Sequence, residues 1–350
     1  MTLKLGILDQ SVVFPAFGPR EALRYTVELA QLAEQWGYER FWVAEHHGGA
    51  ATAGSSPEVL IAYLLAHTKT IRVGSGGVML QHYSPYKVAE NFNVLATLEP
   101  GRVDLGIGRA PGGFPLSTRA LQHGVTEQQT LVEKLDDLEQ YLRGPAREGH
   151  AFAGLAATPL ATNPAAVFIL GTSVASAVLA AERGYPYVYS LAIHGNQAVA
   201  EEALATYQQQ FRPIDGRAPL ALLGVSVIVT DTQQEADELA TNTTTVRVTL
   251  ANGTTVNVGS LEQAELFAQQ AGQTYQADVR QQEIIKGTQP VVEQQLLAYQ
   301  QRYGVAGFIV SSTIPNKQKR FRSFELLGEL IGQAAGLKPC ADKAGSRLSD

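Results

Sequence analysis

Cysteine is nearly absent from this chain. Its 350 residues contain one, Cys340, so neither a disulfide framework nor a thiolate metal site is possible. Charge is sparse as well: 17% of residues are charged, against 45% hydrophobic. Lys and Arg number 27 and Asp and Glu 33, for a formal net charge of -6. That balance leaves no basic field to neutralise phosphates and argues against nucleic acid. No apolar run approaches the roughly 20 residues of a membrane span, and Met1 to Leu5 lacks the basic start and apolar stretch of a signal peptide. A cytoplasmic protein without a membrane partner is expected. The length fits one large domain or two ordinary ones, and barrels commonly exceed the usual domain size as single units.

What is present is a repeated strand–helix rhythm. Leu3, Leu5 and Ile7 alternate with Lys4 and Gly6, and a helix follows Gly18-Pro19 with Leu23, Val27, Ala30 and Ala33 on one face. Strands are expected at 40–45, 71–74 and 103–107. Ser56-Pro57 and Ser84-Pro85 open helices between them, serine as a cap and proline in the first turn. After a polar helix near 127–142 and an irregular stretch at 144–163, strands resume at 167–170, 187–191, 220–229 and 305–310. Segment 241–288 breaks the rhythm. Leu250-Ala251-Asn252-Gly253-Thr254 reads as a hairpin turn, and the segment is expected to be an insertion between strand 7 and helix 7 that forms a mobile lid. Eight strands, each followed by a helix, favour a (β/α)8 TIM barrel at 1–335, with an open sheet as the alternative and a flexible polar tail at 336–350.

In a barrel, chemistry belongs at the C-terminal strand ends. Four places there stand out. Glu45-His46-His47 ends strand two, where a histidine can hand over a proton or simply fill a structural role. Adjacent side chains point apart, which disfavours a mononuclear metal. Gly74-Ser75-Gly76-Gly77 ends strand three, and so many glycines fit either a plain loop or a flat ligand approaching the backbone. Arg109 ends strand four, where a guanidinium can fork onto a phosphate or point to water. Gly106-x-Gly108 is no dinucleotide fingerprint, because the third glycine is missing. Thr172, Ser173 and Ser176 begin the helix after strand five. There, hydroxyls and free N–H groups form either an anion site or an ordinary cap.

With these residues in view, the chain resembles the bacterial-luciferase-like flavin-dependent monooxygenases, in the branch with Trp-x-Ala-Glu-His-His. The carrying stretches are Phe41 to His47, Ser56-Pro57 through Leu65, Val73-Gly74 through Ser84-Pro85, Gly101 to Arg109 and Phe324 to Gly328. The resemblance implies a (β/α)8 barrel, dimeric through its second and third helices, that binds reduced FMN. It implies that Arg109, Ser173 and Ser176 hold the FMN phosphate, with Thr172 beside them. Gly76-Gly77 would match a non-prolyl cis peptide under the flavin ring, and His46 the histidine that handles protons. A separate reductase would supply FMNH2, and oxygen would be passed to a small organic substrate through a C4a-peroxyflavin. Gly108, Thr172 and Leu191 depart from the luciferase pattern, at the positions of a cysteine, an acidic residue and a tryptophan. That puts light emission and long-chain aldehyde specificity in doubt. A deazaflavin-dependent dehydrogenase and a non-catalytic flavin-binding protein are the rival expectations.

Overall fold

The computed structural model describes residues 3–14, 17–126, 129–241 and 243–334. The expected tail at 336–350, and Glu127 at the expected start of a helix, lie outside the described residues. Elements run in the order Leu5–Asp9 (β1), Pro19–Gln35 (α1), Arg40–Val43 (β2), Pro57–His67 (α2), Arg72–Met79 (β3), Pro85–Leu98 (α3) and Val103–Gly108 (β4). They continue with Pro115–Leu121 (α4), Leu131–Arg143 (α5), Ala166–Gly171 (β5), Val174–Glu182 (α6), Tyr187–Ser190 (β6), Leu191–His194 (α7) and Gln197–Gln210 (α8). Then come Ala221–Val229 (β7), Gln233–Leu239 (α9), Thr244–Leu250 (β8), Thr255–Val258 (β9), Leu261–Ala271 (α10) and Tyr275–Gln281 (β10). Ile284–Gly287 (β11), Gln289–Tyr303 (α11), Gly307–Ser311 (β12) and Lys317–Ala334 (α12) complete the order.

Strands β1 to β7 pair in parallel with their neighbours in sequence, and β12 closes the ring between β7 and β1. The result is a closed eight-stranded parallel barrel with helices outside, a TIM barrel, as the strand count anticipates. Two cores follow from strand alternation. Leu5, Ile7, Phe41 and Val73 face outward into the large core beneath the helices, where α1 buries Ala22, Thr26, Leu29, Ala30 and Ala33. Trp42, Phe168, Val188, Leu222 and Ile309 fill the lumen. Ser56 makes no side-chain cap bond. Pro57 at the first helical position lacks one of the N–H groups that a helix start leaves unbonded.

The two ends of the lumen differ. At the N-terminal end, Asp104 is fully buried. It accepts from Arg40 Nη1 at 2.8 Å, Arg72 Nη2 at 2.5 Å, Arg72 Nε at 2.9 Å and Trp42 Nε1 at 2.9 Å. At the C-terminal end the lumen is lined by small residues. A Cβ on Gly76 would lie 2.6 Å from Leu8 Cδ1, and one on Gly224 would lie 3.3 Å from Ser190 Cα. Ser226 and Ser311 are opposite each other in the β7–β12 register. Where most barrels carry bulky branched layers, this end is closely packed around small residues.

Beyond β7, strands β8, β9 and β10 form a separate antiparallel sheet in the order β10-β8-β9. The β8–β9 turn is closed by Leu250 and Gly253. Val246, Val248 and Leu250 pack on Ala264, Phe267 and Ala268 of α10, so the insertion has its own small core.

Candidate functional site

The expected site residues lie on four successive barrel strands or the loops just after them. His46 follows β2, Gly76 and Gly77 lie in β3, Arg109 follows β4, and Thr172, Ser173 and Ser176 follow β5. Because all four strands run in parallel, their C-terminal ends share one rim. Ile107 is opposite Ile169, so Arg109 leaves β4 level with the end of β5. Arg109 and Ser173 are both exposed, and Thr172 and Ser176 are partly so.

Ser173 caps α6, accepting from the Ser176 N–H at 3.3 Å. The Ser176 hydroxyl folds back to donate to the Ser173 carbonyl at 2.6 Å and lies 2.9 Å from Tyr187 Oη. Only a glycine at 171 permits this, since a Cβ there would collide with Ser176 Oγ. The head of α6 therefore offers an exposed serine and the positive end of the helix dipole on the rim that Arg109 also occupies. This is an anion-binding arrangement.

The floor beside it is glycine. The Gly76–Gly77 peptide is cis, and β3 and β4 slip register here, so that residues 76 and 77 stand against Gly106 alone. A Cβ on Gly77 would lie 2.6 Å from the Gly106 carbonyl, and one on Gly108 would lie 2.9 Å from Met79 Cε. The two strand ends thus approach as bare backbone. A planar, phosphate-bearing group fits this donor set: a flat surface without side chains, and an anion cradle one strand away.

His46 is partly buried. Burial pushes its pKa below the ordinary 6.5, and the nearness of His47 lowers it further; Glu45 and the Gly112 carbonyl oppose it. The ring is neutral at neutral pH. As pH falls through about 6.5, the unfolded chain takes up a proton that folded His46 refuses, so stability falls on acidification. Urea midpoints measured between pH 7.5 and 5.5 are expected to drop further for wild type than for His46→Gln.

Residues outside the motifs complete the rim. Glu45 is buried and bonded to His47, Tyr83 and Met79. Lys134 on α5 donates to the carbonyls of Leu80, Gln81 and Tyr83. The insertion also docks here. Phe267 stands perpendicular to Phe114 at 5.9 Å, Gln270 accepts from Leu116 N–H and Arg119, and Asn257 donates to the Ile193 carbonyl at 2.7 Å. It bridges the segments that follow β4 and β6. Local sequence carries no signal for these contacts.

Fold and rim together define a parallel barrel whose candidate functional residues lie at its C-terminal mouth. Residues 3–305 match the family model of the luciferase-like monooxygenases. The chain is 40% identical to the N-acetyl-S-alkylcysteine monooxygenase of Bacillus subtilis (strain 168) over 330 residues, 94% of this chain and 98% of that one. It superposes on the solved structure of apo-MsnO8 with a TM-score of 0.78 at 32% identity, covering 94% and 98% of the two chains. The oxygenating constituent of 3,6-diketocamphane monooxygenase from Pseudomonas putida, solved with FMN, shares the fold at 18% identity (TM-score 0.68, 95% and 98% covered). The chain belongs to the luciferase-like monooxygenase family and is an oxidoreductase. Among the described residues, no helix is long and apolar enough to cross a membrane.

Proposed function

We propose that the protein is an FMN-dependent monooxygenase that uses reduced flavin and O2 to oxygenate a small organic substrate. The observation that supports this reading is that Arg109 and the head of α6 follow neighbouring parallel strands, β4 and β5, on the rim that also carries the close-packed glycines Gly76, Gly77 and Gly108. Arg109 pairs with the phosphate through its planar fork. Thr172, Ser173 and Ser176, with the N–H groups of α6, complete the cradle. Gly76 and Gly77 carry the flavin ring. Reduced FMN, once bound, supplies the activation of O2, and one oxygen atom enters the substrate while the other leaves as water. His46 moves a proton at its ring nitrogen, and the insertion closes over the mouth and excludes water.

The relative that is 40% identical over 98% of its length acts on N-acetyl-S-alkylcysteine. This supports a thioether of an N-acylated cysteine as the first substrate class to test. With no nicotinamide fingerprint in the chain, a separate reductase in the cytoplasm provides the reduced flavin. Oxygen uptake with chemically reduced FMN and N-acetyl-S-methylcysteine is the test. Substrate-dependent uptake with label from 18O2 in the product is expected. Uptake that ends only in hydrogen peroxide, or reactivity only with a reduced deazaflavin, would contradict the assignment.

The working unit is a homodimer through α2 and α3. Val59 (72% exposed), Tyr63, Val94 and Leu98 (68% exposed) lie four apart in pairs on these adjacent helices and form an uncovered apolar stripe. Joint replacement Val59→Glu and Leu98→Glu is expected to shift the sedimenting species from dimer to monomer.

A further inference from the structure

Glu45 is buried at the rim and takes no part in the flavin cradle. Its two oxygens receive three donors. His47 Nε2 and Tyr83 Oη reach Oε1 at 2.7 and 2.8 Å, and the Met79 N–H reaches Oε2 at 3.0 Å. The side chain of Glu45 has no exposure and that of His47 10%. A carboxylate oxygen accepts, so the 2.7 Å contact with Oε1 places a proton on His47 Nε2. No hydrogen bond among the described residues uses Nδ1.

The neighbouring His82 is a useful contrast. It stands edge-on to His47, with ring centroids 6.2 Å apart, yet both its nitrogens are committed. Nε2 donates to the Pro111 carbonyl at 2.8 Å, and Nδ1 accepts from Gln122 at 3.2 Å. Of the two rings, only that of His47 has a nitrogen, Nδ1, outside every hydrogen bond among the described residues. The clamp around it is rigid: Lys134 ties the carbonyls of Leu80, Gln81 and Tyr83 at 3.2, 2.9 and 2.8 Å. This fixes the segment that carries the Tyr83 hydroxyl.

We propose that Glu45 is a positioning residue for the oxygenation: it holds His47 as the Nε2–H tautomer, so that Nδ1 stands as a second proton acceptor on the rim beside His46. The proposal rests on the monooxygenase assignment above. A buried carboxylate that orients an imidazole fixes which nitrogen is free to take a proton.

Glu45→Gln is the discriminating change, because it keeps the shape and inverts the donor pattern. The Met79 N–H can only donate, so it claims the glutamine oxygen. The amide NH2 is then turned toward His47 and Tyr83, both of which can accept. Long-range 1H–15N spectra of the flavin-free protein are expected to show His47 as Nε2–H in wild type and as Nδ1–H in Glu45→Gln. Tyr83→Phe removes one donor and leaves the carboxylate, so it is expected to keep the wild-type tautomer. Turnover with reduced FMN is expected to fall about 100-fold in kcat for Glu45→Gln, with the KM for flavin within threefold. Wild-type His47 observed as Nδ1–H overturns the inference without any variant. So does an inverted tautomer with unchanged kcat, which leaves the monooxygenase assignment standing. A wild type that oxygenates nothing with reduced FMN defeats that assignment and this inference with it.

Discussion

Replacing Arg109 by methionine is expected to weaken binding of reduced FMN by roughly 30- to 1,000-fold, the usual cost of removing one partner from a close charge pair. Methionine keeps the length and apolar stem of the side chain and removes the fork. Arg109 is exposed at the end of β4, so its loss is expected to leave the Tm within a degree or two of wild type. The predicted result is thus a loss of affinity without a loss of fold. Anaerobic fluorescence titration reads the first and calorimetry the second. Ser173→Ala is expected to act in the same direction but more weakly. The hydroxyl is one of several donors at the head of α6, and the backbone N–H groups remain. Unchanged flavin affinity in Arg109→Met would remove the guanidinium from the cradle.

The second large effect is on stability. Asp104→Ala is expected to destabilise the barrel by about 3–5 kcal/mol, because it strands two guanidinium groups that the carboxylate neutralises. Asp104 is fully buried, Arg40 is 11% exposed in its side chain and Arg72 30%. Arg40 thus loses more than Arg72, which can turn to water. A Tm lower by on the order of 10 °C follows for a domain of this size. The network is at the N-terminal end of the lumen, remote from the mouth, so flavin affinity of the folded variant is expected to be unchanged. A variant with wild-type Tm would show that the arginines are satisfied by water instead.

The two ends of the barrel were not equally legible in the sequence. The strands could be found because Leu5, Ile7, Phe41, Val43, Val73 and Leu105 alternate or cluster between Gly and Pro breaks, and burial on both faces leaves few polar residues between them. Arg40, Arg72 and Asp104 went unread as a network: they are far apart in the chain, and only the parallel pairing of β2, β3 and β4 brings them together. The glycine run at 74–77 fitted either a plain loop or close backbone approach, and the structure places its glycines against neighbouring atoms. The placing of Arg109 and Ser173 on one rim, by contrast, came only through the rule that parallel barrel strands end together, since some 60 residues of α4, α5 and irregular chain intervene.

Other parts had no local signature. The partners of Glu45 are Met79 and Tyr83, more than 30 residues away on the far side of α2, so sequence marked Glu45-His46-His47 without revealing which histidine the carboxylate holds. The short helix α4 has no buried residue, hence no periodic apolar face to betray it. Its role emerges only where Phe114 meets Phe267 and Gln270 meets Leu116 and Arg119. The hairpin of the insertion was legible from Asn252-Gly253, whereas its docking over the mouth depends on single contacts such as Asn257 to the Ile193 carbonyl.

The most direct experiment is to compare reduced FMN with reduced riboflavin, which differs only in lacking the phosphate, by anaerobic calorimetric titration of the wild-type protein. If the guanidinium after β4 and the head of α6 grip a phosphate, FMN binds at least 100-fold more tightly, and raising the salt concentration narrows the gap. Equal affinities for the two would contradict it.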